Sequence, residues 1–91
     1  MSYYTEQLRF IRKPELLSLL AVSKTTLQTM VNDGLVPPPI HLGERAVAHI
    51  NIEVNQVLAA MAAGKTQEQI KELVEYLVDN RHRYAEALEM M

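Results

Sequence analysis

Residues 23–34 read Ser-Lys-Thr-Thr-Leu-Gln-Thr-Met-Val-Asn-Asp-Gly, and this segment has the features of a short helix with two unlike faces. Ser23 is a strong N-cap and Gly34 is a common helix stop. An apolar face is indicated by the i, i+3, i+4 spacing of Leu27, Met30 and Val31. The other face carries small hydrogen-bonding residues instead of the Glu and Lys of an ordinary solvated surface. These residues are Thr25, Gln28, Thr29 and Asn32, with Lys24 at the flank.

A second helix is predicted directly before this one. Pro14 suits the first turn of a helix, where its missing N–H costs nothing. Four leucines between residues 16 and 20 give the helix an apolar side, and about three residues separate it from the next helix. That spacing is typical of a helix-turn-helix. Further upstream, residues 8–11 predict a short β segment.

The segment after the second helix indicates a β-hairpin. Three prolines at residues 37–39 form a stiff connector, and residues 40–42 and 46–50 are short extended arms around a tip that holds Gly43, Glu44 and Arg45. Asn51 is then the expected N-cap of a third helix, which Gly64 ends. This order predicts a mainly α fold with a small β-hairpin, namely a winged helix-turn-helix followed by a long C-terminal helix.

The fourth helix begins with a capping box formed by Thr66 and Gln69 and is expected to run to about Leu88. Its apolar residues alternate at four and three positions, as in a coiled coil. This heptad seam consists of Ile70, Val74, Leu77, Tyr84 and Leu88, with Arg81 as one charged interruption. The helix either folds back on its own domain or pairs with a second copy, and the strict spacing favours a homodimer. The expected organisation is therefore a winged helix-turn-helix domain over residues 1–64 and a dimerisation helix over residues 65–91.

In a winged helix-turn-helix the second helix enters the major groove of DNA. Gln28 and Asn32 can make bidentate contacts to adenine, and Lys24 can reach guanine or a phosphate. Thr25 and Thr29 can bind phosphates or touch a thymine methyl group. Arg45 at the hairpin tip can reach the neighbouring backbone or minor groove. These residues predict double-stranded DNA as the partner.

Composition narrows the function classes. The 91-residue chain has a net charge of −2 and no cysteine, which fits a reducing compartment. Residues 1–50 hold five basic and four acidic residues, while residues 51–91 hold four basic and seven acidic ones. DNA binding is therefore expected to be modest and salt-sensitive.

No nucleophile–base pair or metal-ligand spacing stands out, so no enzyme activity, cofactor, metal or small-molecule substrate is expected. No apolar run is long enough for a membrane span, and a cytoplasmic, nucleoid-associated location is expected.

Five segments stand in order across about residues 8–62: Arg9-Phe-Ile-Arg-Lys-Pro-Glu-Leu-Leu, Val22-Ser-Lys-Thr-Thr-Leu, Asp33-Gly34, Pro37-Pro-Pro and Leu42-Gly-Glu-Arg-Ala-Val. Together they resemble the AlpA family of prophage-associated regulators, which is related to excisionases and to MerR-type winged helices. The resemblance implies a DNA-binding transcription regulator or excision factor. By position it implies that Lys24, Thr25, Thr26, Gln28 and Thr29 on the helix, and Arg45 on the wing, face DNA.

A second class of function stays open. A winged helix can bind a protein partner with the same surface, and the acidic C-terminal half suits such a role. The alternative is therefore a protein-interaction module that inhibits or recruits a partner protein.

Overall fold

The computed structural model describes the backbone of residues 7–89 and the side chains of residues 7–86. It has five helices and three short strands within that range, and it confirms the mainly α, winged helix-turn-helix fold. In chain order the elements are β1 (Phe10–Ile11), α1 (Lys13–Leu20), α2 (Lys24–Asn32), β2 (Ile40–His41), β3 (Val47–Ile50), α3 (Asn51–Ala62), α4 (Gln67–Asp79) and α5 (His82–Glu89).

A tight turn joins α1 to α2, as the sequence predicts. Pro14 lies in the first turn of α1, and the helix ends at Ala21, whose backbone adopts the left-handed region at φ 58°. Ser23 then caps α2, since its side chain accepts a hydrogen bond from the backbone N–H of Thr26 at 3.2 Å. Gly34 follows α2 with φ 80°, a value that glycine adopts at low cost.

The wing belongs to a three-stranded antiparallel sheet with the order β1-β3-β2. The predicted hairpin pairs Ile40 with Ala48 and His41 with Val47. The predicted N-terminal segment forms a strand only at Phe10 and Ile11, and it pairs with the other edge of β3. The wing is therefore fixed on both sides of its central strand.

Asn51 does not cap α3, contrary to the sequence prediction. The N-cap is Ile50, because β3 runs directly into α3 with no loop between them. Asn51 is buried, its amide oxygen accepts from Arg9 N at 2.7 Å, and its amide nitrogen donates to Gln7 O at 2.7 Å. The side chain thus continues the pairing of the N-terminal segment beyond the sheet, and the helix end goes without a side-chain cap.

Two apolar clusters hold the chain together, and α3 contributes to both. The first lies under the helix-turn-helix and consists of Ile11, Leu16, Leu27, Val36 and Val54. The second lies between α3 and α4 and consists of Val57, Ile70, Val74 and Leu77. Because burial of apolar surface is the main favourable term in folding, α3 is the element that joins the helix-turn-helix to the C-terminal helices.

The C-terminal helical segment is present and is interrupted once. The predicted capping box is confirmed, since Thr66 Oγ1 accepts from Gln69 N at 3.1 Å and Gln69 Oε1 accepts from Thr66 N at 2.9 Å. The first helix ends at Asp79 and the next begins at His82. In the break, Asn80 Nδ2 donates to Tyr76 O at 2.7 Å. The long helix expected up to about Leu88 is therefore two helices, α4 and α5.

Candidate nucleic-acid interface

The outer face of α2 is polar and exposed, and its inner face is buried. Leu27 is 3% exposed and belongs to the first apolar cluster, against which Met30 and Val31 also pack. The predicted DNA-facing residues of this helix are all exposed: Lys24, Thr25, Thr26, Gln28, Thr29 and Asn32. We call this set the α2 outer face. The division of α2 into two unlike faces agrees with the sequence pattern.

Hydrogen bonds along the α2 outer face fix part of its donor and acceptor pattern. Gln28 Nε2 donates to Asn32 Oδ1 at 3.0 Å. This bond leaves the Gln28 carbonyl oxygen to act as an acceptor and the Asn32 amide nitrogen to act as a donor. The edge of adenine in the major groove offers one donor and one acceptor, which match these two groups. Thr29 Oγ1 donates to Thr25 O at 3.1 Å, so its hydroxyl must rotate before it can donate to a phosphate.

The wing tip carries an exposed cation. Arg45 is exposed in the turn between β2 and β3. The turn is closed by a backbone hydrogen bond from Leu42 N to Ala46 O at 2.7 Å. Arginine can donate several hydrogen bonds to a phosphate or enter a minor groove. Arg45 therefore lies where the sequence predicts, on an ordered turn.

A small notch separates α2 from the wing. It has a volume of about 120 Å³, and its lining includes Lys13, Lys24, Gln28 and His49. The two lysines are the first residues of α1 and α2, where the helix macrodipoles add positive potential. Sequence reasoning did not select Lys13. Its position directly before Pro14, at a helix start, was the available signal.

His49 contributes no charge to the notch at neutral pH. The side chain is buried, and Nδ1 lies 3.2 Å from Pro37 O. Burial lowers the pKa of His49, and the positive charges of Arg81 and Lys13 act in the same direction, while the Pro37 carbonyl and Glu53 oppose them. The neutral ring therefore lies between the wing and the segment that follows α2.

Three residues of the predicted dimer seam lie inside the chain's own core. Ile70, Val74 and Leu77 are buried against α3, which is the fold-back alternative. Arg81 leaves the seam to bind Glu53 at 2.8 Å and Pro38 O at 2.7 Å. Tyr84 is half-buried, and the side chain of Leu88 lies outside the described residues. Within the chain, α3 supplies the apolar face that covers these residues, and pairing of a second copy through the seam stays a prediction. Pairing through these residues would require α4 to leave α3.

Other kinds of site were also considered. Among the side chains of residues 7–86, no group of three His, Cys, Asp or Glu could hold a metal ion. Between residues 7 and 89, every helix is too short or too polar to cross a lipid bilayer.

Comparison with known proteins gives a family and a relative. Residues 9–61 match the family model described as prophage CP4-57 regulatory protein (AlpA), a range that covers β1 to the last turn of α3. A protein of Enterobacteria phage P4, described as uncharacterized protein ORF88, is 36% identical over 59 residues, which are 65% of this chain and 67% of that protein. No solved structure matches. The matched range includes the helix-turn-helix and the wing, and the chain therefore belongs to the AlpA family of prophage regulatory proteins.

Proposed function

We propose that this protein is a sequence-specific regulator that binds double-stranded DNA, either to control transcription or to assist prophage excision. The observation that carries the proposal is the α2 outer face, an exposed set of hydrogen-bonding residues that begins with Lys24, together with the exposed Arg45 at the wing tip. Membership of a prophage regulatory family supports a DNA partner. The protein performs no chemistry in this role and needs no cofactor, because binding and positioning of DNA are sufficient.

In the proposed complex, α2 lies in the major groove and the wing follows the adjacent backbone. Gln28 and Asn32 contact base edges and supply specificity. Lys24 and Arg45 contact phosphates, and Lys13, which lines the notch together with Lys24, is a third cation. With about three phosphate contacts, the logarithm of the binding constant should fall with a slope of roughly −3 against the logarithm of salt concentration. Non-specific binding should therefore be weak.

The test is binding of the purified full chain to pooled genomic DNA fragments, titrated across salt concentrations. We expect saturable, sequence-selective capture of a few fragments with a shallow salt slope. Footprinting of the captured fragment then gives the site length. Retention of all fragments alike, or of none at low salt, would contradict sequence-specific DNA binding.

A protein partner is the second candidate, and the outer face of α4 favours it. That face is acidic and exposed, and Tyr76 at its flank is 54% exposed. The acidic side chains are Glu68, Glu72, Glu75 and Asp79. An acidic face repels DNA and suits a basic protein surface.

The two candidates respond to different substitutions. Joint replacement of Lys24, Gln28 and Thr29 by Ala should abolish regulation in cells if DNA is the target. Tyr76→Asp should abolish it if the outer face of α4 binds a partner. Tyr76 is preferable to its buried neighbour Leu77, whose replacement would damage the core. If Tyr76→Asp alone inactivates the protein, the interaction module is the better description.

A further inference from the structure

The wing is attached to α2 through residues 33–39, which we call the wing linker. Pro37, Pro38 and Pro39 have no backbone N–H, so this part of the linker can be held only through its carbonyl oxygens and by packing. Val36 and Pro37 are buried. Pro37 O lies 3.2 Å from His49 Nδ1, and Pro38 O accepts a hydrogen bond from Arg81 Nη2 at 2.7 Å. Two neighbouring carbonyls are thus held by side chains from distant parts of the chain.

Arg81 is itself fixed by a buried carboxylate. Its Nε donates to Glu53 Oε2 and its Nη2 donates to Glu53 Oε1, both at 2.8 Å. Glu53 is fully buried, with a side chain 1% exposed, whereas the Arg81 side chain is 22% exposed. A buried carboxylate needs a partner with good geometry, and only a planar guanidinium can bind both oxygens while a remaining N–H reaches Pro38.

The break between α4 and α5 places Arg81 next to Glu53 and Pro38. Arg81 lies between Asp79, the last residue of α4, and His82, the first residue of α5. Its backbone N–H donates to Val78 O at 3.2 Å. The interaction of Arg81 with Glu53 and Pro38, which we call the Arg81 clamp, therefore joins the C-terminal helices, α3 and the wing linker.

We propose that the Arg81 clamp is a positioning device that sets the wing relative to α2, so that residues outside the family-matched range adjust DNA binding. The inference rests on the proposed function, because it matters only if α2 and the wing contact one DNA molecule together. Two contacts on one rigid body reinforce each other through effective concentration. When the wing linker moves, Arg45 loses this benefit while the α2 outer face keeps its own contacts.

The first experiment measures wing geometry without DNA. The natural chain has no cysteine, so nitroxide labels can be placed at Gly43→Cys on the wing tip and Thr29→Cys on α2. A Cβ at Gly43 has open space around it. We expect one narrow distance distribution in the parent and a broader or displaced one in Arg81→Lys, which keeps the charge but loses the planar fork. A second label pair, at Thr29→Cys and Ala59→Cys on α3, should be unaffected. Arg83→Lys on the exposed side of α5 is the matched control and should change neither distribution.

The second experiment is a double-mutant cycle on the captured DNA fragment. In the parent, Arg45→Ala should weaken binding about 10-fold, and in the Arg81→Lys background the same change should cost about 2-fold or less. Gln28→Ala should cost the same factor in both backgrounds. A merely structural role for Arg81 would lower the folded fraction and leave the cost of Arg45→Ala unchanged.

Each outcome decides the inference. An unchanged distance distribution in Arg81→Lys, or a changed distribution with an unchanged Arg45 effect, overturns it. If Arg81→Lys does not fold, the double variant Glu53→Gln with Arg81→Gln, which removes both charges, is measured in its place. If neither variant folds, Arg81 is required for folding, and the inference is overturned as well. If the parent binds no DNA fragment, the proposed function fails, and the inference fails with it because the wing then has no DNA to be positioned on.

Discussion

The chain contains two helical pairs that are built alike and exposed differently. In α1–α2 a left-handed Ala21 stands two residues before the N-cap Ser23, and in α3–α4 a left-handed Gly64 stands two residues before the N-cap Thr66. In each pair the second helix buries one apolar side. The exposed sides differ, because α2 presents Thr, Gln and Asn whereas α4 presents mainly Glu. Local geometry therefore does not separate the helix proposed to face DNA from a supporting one, and the chemistry of the exposed side is what distinguishes them.

The largest expected effect is on DNA binding, and it comes from replacing the exposed polar residues of α2. Joint replacement of Lys24, Gln28 and Thr29 by Ala should weaken selective DNA binding by about 100-fold or more, since a good base contact is worth about 1–3 kcal/mol. Joint replacement of Glu68, Glu72 and Glu75 by Ala in α4 is the matched control and should leave binding equal or slightly tighter. Fluorescence anisotropy with labelled DNA measures both, and circular dichroism checks the fold. Loss of binding in the α4 set would break the distinction between the helices.

The next prediction compares the stability effect of a buried residue of α4 with that of an exposed residue of α2. Leu77→Ala should lower the free energy of unfolding by about 2–5 kcal/mol, because it opens a cavity between α4 and α3. Thr29→Ala on the α2 outer face should change it by less than about 0.5 kcal/mol. Urea denaturation gives both values, and sedimentation should show the same molecular mass for Leu77→Ala and the parent. A Leu77→Ala variant with halved mass and unchanged stability would favour the intermolecular seam instead.

The two helix caps should have similar effects on stability and different effects on binding. Ser23→Ala and Thr66→Ala each remove a side-chain bond to a helix N-terminus and should each cost about 1 kcal/mol of unfolding free energy. Only Ser23→Ala should also weaken DNA binding, because it loosens the first turn of α2, which carries Lys24. Equal loss of binding in both variants would mean that binding simply follows stability.

The smallest expected effects come from a reciprocal exchange in the two turns. Ala21→Gly should raise the free energy of unfolding by about 0.5–1 kcal/mol, and Gly64→Ala should lower it by a similar amount, because only glycine adopts a positive φ without strain. A Cβ at Gly64 meets no atom within 4 Å, so the change isolates backbone strain. The urea midpoints of the two variants should shift in opposite directions, and the dependence of the unfolding free energy on urea concentration should stay unchanged. A shift in the same direction for both would contradict the equivalence of the turns.

The sequence predicted what depends on neighbouring residues. The caps at Ser23 and Thr66, the stops at Gly34 and Gly64 and the polar face of α2 are each specified within a few positions, and the structure has them. Three features could not be predicted because their partners are remote in the chain. They are the pairing of β1 with β3, the use of Asn51 to hold Arg9 and Gln7, and the bond of Arg81 to Glu53.

The heptad seam shows the same limit. The spacing of Ile70, Val74 and Leu77 correctly indicates that one side of α4 is buried. It does not say which surface covers that side, and α3 of the same chain does so. At the candidate site, the exposure of the α2 outer face and of Arg45 followed from the sequence. The notch with Lys13 and His49 depends on how α1, α2 and the wing come together, which no local pattern specifies.

The order of strands in the sheet has a consequence for how the protein can be taken apart. Phe10 pairs with Ile50, which closes a loop of about 40 residues that contains the whole helix-turn-helix and most of the wing. Contacts of such long sequence separation form late and slow folding. Neither the helix pair nor the hairpin can then be excised as a shorter peptide and keep this sheet. We expect residues 7–62 to gain and lose hydrogen-exchange protection as one cooperative unit, so that the proposed DNA binding is all-or-none with respect to truncation from the N-terminal side.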